Sequence, residues 1–208
     1  MVSLGLGTIV SASSEAVPLV EDLFSGAGRD AISDPHRLGV LAGRLRGAGH
    51  RLVGPVPRFT VDAEDFTPAG STEGVVIEIR EPPETDDIQA LDWPHALMRR
   101  RGEQCPLKLV AIAHRGGTFA GVASAIADGN ELWQIGIDSA QGAQGLGIGQ
   151  SLASAITEAV LDQGVVPDWC TNPANLRSIR TALSIGYKPA WLEVFTKLEP
   201  VELVPVTG

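Results

Sequence analysis

The chain is poor in the residues that mark several protein classes. It has two cysteines, Cys105 and Cys170, among 208 residues, too few for a disulfide framework and without the spacing of a metal cluster. Both read as thiols of a reducing cytosol, and no metal is expected. Basic residues are also scarce: 16 Lys and Arg stand against 25 Asp and Glu, for a formal charge of −9. A phosphate backbone needs a basic footprint, so the composition argues against nucleic acid as a partner. The one basic run, Arg99, Arg100 and Arg101, reads as a solvated helix end. No apolar run approaches the roughly 20 residues of a membrane span, so no membrane partner is expected. The mildly apolar first ten residues have no Lys or Arg ahead of them, which argues against a secretory signal. The expectation is a soluble, cytoplasmic protein without internal repeats or long low-complexity tracts.

What the chain does have is a sequence of well-punctuated elements. One sizeable domain with an extension suits this length. Residues 1–70 read as a helical or irregular N-terminal extension, with helices near 15–24 and 35–48. The second opens with Asp34 as N-cap and Pro35 at its first position. A strand near 51–61 carries Pro55 and Pro57, which demote it to an edge or irregular strand. Residues 62–73, with Pro68, Gly70 and Ser71, are the best boundary, leaving 71–208 as the main domain. There a β-branched strand over 74–80 precedes a helix predicted for 87–101. Three strand-like runs follow, 107–114, 119–127 and 131–138, separated by short glycine turns that predict an antiparallel meander. A helix over 147–163 comes next, with Ile148, Leu152, Ile156, Ala159 and Val160 on one face. A short strand (166–171) leads to a helix capped by Asn172, with Leu176, Ile179 and Leu183 facing the core and Gly186 as its stop. The last strand is 187–198. The pattern is α+β with a mixed sheet.

The segment from Glu131 to Gly149 carries the most chemistry. It reads as strand, glycine-rich turn and helix, an arrangement that aims backbone N–H groups and a helix N-terminus at one point where a pyrophosphate would be stabilised. Gly136 interrupts the strand, where glycine marks a bulge or a close backbone approach. A bulge would splay this strand from its neighbour. Gln144, Gly145, Leu146, Gly147, Ile148 and Gly149 clear side chains from the approach of phosphate oxygens, and Gln144 adds a neutral donor. Asn175 and Ser178 follow the next strand and can face the gap, or serve as ordinary capping residues. A glycine-x-glycine-x-glycine turn alone is a weak signal. A dinucleotide-binding reading would use Asp168, 19 residues after Gly149, but the antiparallel meander upstream fits it poorly.

These motifs together resemble the GNAT (GCN5-related N-acetyltransferase) superfamily over residues 74–198. Gln144 to Gly149 is similar to the family's phosphate-loop pattern. The run from Asn175 through Ser178 to Gly186-Tyr187 is similar to its late helix. Ile135-Gly-Ile137 with Ser139, then Pro167-Asp-Trp169, resembles a bacterial branch that includes antibiotic self-resistance acetyltransferases. The resemblance implies a mixed, mostly antiparallel central sheet with a bulged, splayed strand pair and flanking helices. It implies acetyl-CoA, or another acyl-CoA, as co-substrate, with pantetheine along Ile135, Gly136, Ile137, Asp138 and Ser139 and pyrophosphate on Gln144–Gly149. The implied reaction is acyl transfer to a small-molecule or peptide amine, with the Ile137 N–H as oxyanion donor.

Acid and base are not evident. The family's late-helix Tyr position falls on Ala182, and the branch's strand Glu falls on Gln134. Asp138 and Glu131 remain as bases and Cys170 as a weak acid. His95, after Trp93-Pro94, and His114 could line an acceptor site. Tyr187 reads as a packing residue. The rival reading is a catalytically weak acyl-CoA-binding or regulatory module. The terminal strand offers an edge for a homodimer.

Overall fold

The computed structural model describes residues 1–82, 93–96 and 106–198. The helix predicted for 87–101, the arginine run and Cys105 lie outside the described residues. The chain divides into two compact units, Met1–Arg58 with Ala190–Gly208, and Phe59–Pro189.

In the first unit, β1 (Val2–Ser3) pairs antiparallel with β2 (Thr8–Ile9) and with β9 (Lys188–Leu198). Helix α1 (Val17–Phe24), a 3-10 turn (Arg29–Ser33) and α2 (Pro35–Gly47) precede β3 (His50–Thr60). Helix α2 starts where the sequence predicts. The Asp34 carboxylate accepts the His36 and Arg37 amides at 2.9 and 3.2 Å, satisfying two donors that no helical carbonyl can reach. Arg37 returns its Nε to the same carboxylate and donates Nη1 to the Leu23 carbonyl, tying α2 to α1. Deeper in this unit, the guanidinium of Arg58, with a side chain 6% exposed, meets Glu193 at 2.8 Å. Because the pair is largely withdrawn from water, salt screens its attraction less than that of a surface pair.

The second unit holds β4 (Val75–Arg80), β5 (Leu107–Arg115), β6 (Thr118–Ala127), β7 (Leu132–Ser139) and β8 (Val166–Cys170), hydrogen-bonded in that order. The first four are antiparallel, β5 to β7 as the meander predicts, and β7 with β8 is parallel. The β5–β6 turn places both Gly116 and Gly117 at positive φ, matching the twist of a two-residue hairpin. Helix α3 (Ile148–Asp162) lies on one face of this sheet. Its Ile148, Leu152, Ile156 and Val160 are buried against Ala111, Ala113, Ala123, Ala125 and Ile135. The small alanine side chains let the helix seat closely on the strands. The other face carries Val110, Ile112 and Val122, covered by Ala96. Residues 62–73 belong to this unit and strap α3: the Ala69 amide donates to Ser154 at 2.8 Å, and the Thr72 and Ser151 hydroxyls meet at 2.7 Å.

Helix α4 (Leu176–Ser184) departs from the sequence reading. Its N-cap is Asn175, whose side chain accepts the Ser178 amide; Asn172 instead closes a turn onto the Ala174 amide. The buried stripe also differs from the predicted one. Ala182 is fully buried and Ile179 partly, while Leu176 and Leu183 are 57% and 48% exposed. Asn and Pro are compatible with a turn or a helix start, and local preference alone does not separate them.

The Arg37 amide hydrogen bond, above all, holds the Asp34 carboxyl below its ordinary range. Its stabilising contribution is therefore present above the unfolded carboxyl value, about 3.9, and disappears as pH falls through the lower folded value. Asp34→Ala is expected to lower the melting temperature at pH 7, with the gap to wild type closing below about pH 4. Thermal melts from pH 7 to pH 2 check this.

Candidate functional site

The site begins where β7 and β8 separate. Their parallel register runs from Leu132↔Val166 to Ile135↔Trp169 and stops, although β7 continues to Ser139. Strand backbone groups alternate from side to side, so three bonds outside the ladder set the direction of the rest. The Glu131 carbonyl accepts from Val166, toward β8. The Leu132 carbonyl accepts from Asp128, and the Ala140 amide donates to Ala120, both toward β6. The β6–β7 register is unbroken from Ala127↔Trp133 to Gly121↔Ser139. Odd-numbered residues of β7 therefore point their N–H and C=O toward β8. Ile135 is the last of these to be paired, and Ile137 and Ser139 direct theirs into the gap. Gly136 and Asp138 turn their backbone groups to β6 instead. No register shift occurs at Gly136. Of the two readings of that glycine, the close approach is the one found, because a Cβ there would run into the His95 carbonyl and lie 3.1 Å from the Ala96 Cα.

Beyond β7 the chain turns through Gly142 and Gly145 into α3, with Gly147 as N-cap at φ +80°. That left-handed conformation favours glycine strongly. The Thr72 hydroxyl would also lie 3.0 Å from a Cβ at Gly147. The helix start has no side-chain cap and no acidic residue in its first turn. Ile148 and Gly149 begin the helix, and the Gln150 and Ser151 amides bond to Gly147. An uncapped positive helix end beside a glycine turn is a ready site for an anion even on an acidic protein. One residue here escaped the sequence reading. Arg177, on α4, reaches Gln144 Oε1 at 3.4 Å and brings a cation to the loop. Its position in the run between Asn175 and Ser178 was the available signal, but only the fold carries α4 to Gln144.

The other predicted residues fall into separate places. Asn175 caps α4, and Ser178 accepts from Trp169 Nε1 at 2.9 Å. Cys170 ends β8 at the mouth of the gap. Glu131 precedes β7 at the paired end, roughly 16 Å of strand from Gly136, and is not brought to the gap. Asp138 lies past the parting, where its Oδ2 accepts the His95 and Ala96 amides, each at 2.8 Å. Nearby, Trp93 and Phe119 stack at 5.1 Å, and His114 meets Phe119 edge-on at 6.0 Å. Tyr187 is buried against Thr157 at 2.8 Å and Trp169 at 5.5 Å. Burial pushes its phenol well above the ordinary range, consistent with a packing role. Among the described residues no group of His, Cys, Asp and Glu could hold a metal ion. No described helix is long and apolar enough to cross a membrane.

A mostly antiparallel sheet, a parallel pair that parts midway and a glycine loop at a helix start define an acetyltransferase-type α+β fold. Residues 75–187 match the model of the Acetyltransferase (GNAT) family, and the chain belongs to that family. Among solved structures it is similar to a GCN5-related N-acetyltransferase from Kribbella flavida (17% identity, TM-score 0.54, covering 77% of this chain and 63% of that one). A GCN5-related N-acetyltransferase-like protein from Streptococcus suis 89/1591 gives 18%, 0.53, 77% and 66%. A tandem GNAT protein from the clavulanic acid biosynthesis pathway gives 18%, 0.51, 79% and 58%. These likenesses concern the fold, and the chain spans less than two thirds of each structure's length. A search of curated proteins found no match.

Trp169 is 5% exposed and donates its indole N–H to Ser178. Ser178→Ala would leave that donor without its acceptor, so urea denaturation is expected to show a loss of about 1–3 kcal/mol.

Proposed function

We propose that the protein transfers an acetyl or other acyl group from acyl-CoA to an amine acceptor by direct attack. The observation that carries this reading is the Ile137 N–H, directed toward β8 but beyond the end of the β7–β8 ladder, beside a glycine loop that opens α3. In this reading pyrophosphate lies on Gln144–Gly149, with Arg177 as an added cationic contact. Pantetheine enters the gap and bonds the Ile137 and Ser139 backbone in place of the missing strand. The amine nitrogen attacks the thioester carbonyl carbon, and the Ile137 N–H stabilises the oxyanion. Collapse of the intermediate breaks the C–S bond and releases the CoA thiolate. Cys170, at the mouth of the gap, is the side chain proposed to return a proton to that sulfur, and water carries the proton that the acylated nitrogen loses back to the Cys170 thiolate. Within the family, we place the chain near the branch that includes antibiotic self-resistance acetyltransferases, on Ile135-Gly-Ile137, Ser139 and Pro167-Asp-Trp169.

One observation favours a second reading, a catalytically weak acyl-CoA-binding module. Ala182, the late-helix position that matches the family's Tyr, has no proton to give and is fully buried. Incubation with acetyl-CoA and tyramine, spermidine, a dipeptide or an aminoglycoside, followed by thiol release, separates the two. Turnover supports the enzyme; CoA binding without turnover on any amine supports the module. Failure of CoA to raise the melting temperature overturns both, because a ligand specific for the folded state must stabilise it. Arg177→Ala is expected to weaken CoA binding about fivefold, a loss of about 1 kcal/mol that shrinks at high salt, as titration calorimetry would show.

A further inference from the structure

We propose that Asp138 is a positioning residue that fastens residues 93–96 beside Gly136 and so sets one wall of the acceptor site. The inference rests on the acyltransferase reading for its kinetic part and on geometry for the rest. Four contacts dock this short segment on the sheet face opposite α3. Asp138 Oδ2 accepts both the His95 and Ala96 amides at 2.8 Å. The Ser124 hydroxyl donates to the Ala96 carbonyl from the middle of β6. Ala96 is fully buried against Val110, Ile112 and Val122. The His95 carbonyl takes the space that a side chain at position 136 would fill. Short backbone contacts of this kind leave little freedom in where the segment sits. It carries Trp93 onto Phe119 and holds the exposed His95 beside the end of β7, one residue beyond the Ile137 N–H that points into the gap.

A carboxylate oxygen that accepts two amide protons is well placed to hold backbone, and its charge strengthens both bonds. A general base needs something different, an oxygen that takes a proton from the amine. Asp138→Asn distinguishes the two roles. Its amide oxygen can still accept both N–H groups, but it carries no charge and cannot serve as a base. Asp138→Ala removes both capacities.

The experiment compares wild type, Asp138→Asn, Asp138→Ala and Ser124→Ala. It reads His95 and Ala96 amide hydrogen exchange by NMR, and the KM for acetyl-CoA and for the best amine of the panel. Positioning predicts that Asp138→Asn keeps both amides protected and kcat/KM within about threefold of wild type. Asp138→Ala should speed exchange and raise the amine KM by about tenfold, the scale of lost charge-assisted hydrogen bonds, while the acetyl-CoA KM stays unchanged. Ser124→Ala should move the same readouts less far, and it stands in if Asp138→Ala does not fold. A fall in kcat of about 100-fold or more in Asp138→Asn with both amides still protected would make Asp138 a base and overturn the proposal. Rapid exchange of both amides in the wild type would overturn it as well. If no amine is acetylated, the acyltransferase reading fails, while the exchange measurements still decide whether Asp138 holds the segment.

Discussion

The candidate site in the second unit depends on how β7 distributes its backbone hydrogen bonds. A strand offers alternate residues to its two neighbours, and buried N–H and C=O groups must find partners. On the β6 side the ladder is complete to Ser139, so β7 is held rigidly along its whole length. On the β8 side it ends at Ile135, so the next donor, on Ile137, is left facing the gap. A strand that runs on past the end of one ladder presents donors and acceptors there at strand spacing. An extended ligand with amide groups can replace the absent strand at little cost in protein ordering.

The two sheet faces then acquire different tasks. The alanine-lined face admits α3 closely, and the strap at Ala69 and Thr72 bonds to serines on that helix. The start of that helix, which has no side-chain cap, follows the end of β7 closely in the chain. In a chain with nine more acidic than basic residues, the positive potential at the glycine loop comes from oriented peptide dipoles together with the Arg177 guanidinium. The opposite face receives residues 93–96. Gly136 matters because its missing side chain makes room for the His95 carbonyl, while the ladder through it stays intact.

Much of this was legible from local sequence. The glycine turns of the meander, the Asp34-Pro35 helix start, the apolar stripe of α3 and the glycine loop ahead of it each depend on a few neighbouring residues with strong conformational preferences. The α4 start was not legible, because Asn172-Pro173 and Asn175 are both acceptable openings and only packing of Ala182 and Ile179 selects the second. The Arg177–Gln144 contact spans 33 residues, and the Asp138 bonds to His95 and Ala96 span 43 and 42. No local pattern encodes such meetings.

The sequence by itself determined the elements and their punctuation: where glycine permits a turn, where an uncapped helix begins, and which periodic residues must be buried. These follow from steric and solvation preferences that act within a few residues. The tertiary structure alone decided where β8 leaves β7, which N–H lies beyond the end of that ladder, and that the Asp138 carboxylate is engaged by backbone. Those outcomes depend on hydrogen-bond register and on close contacts between distant segments, and they exist only once the chain has packed.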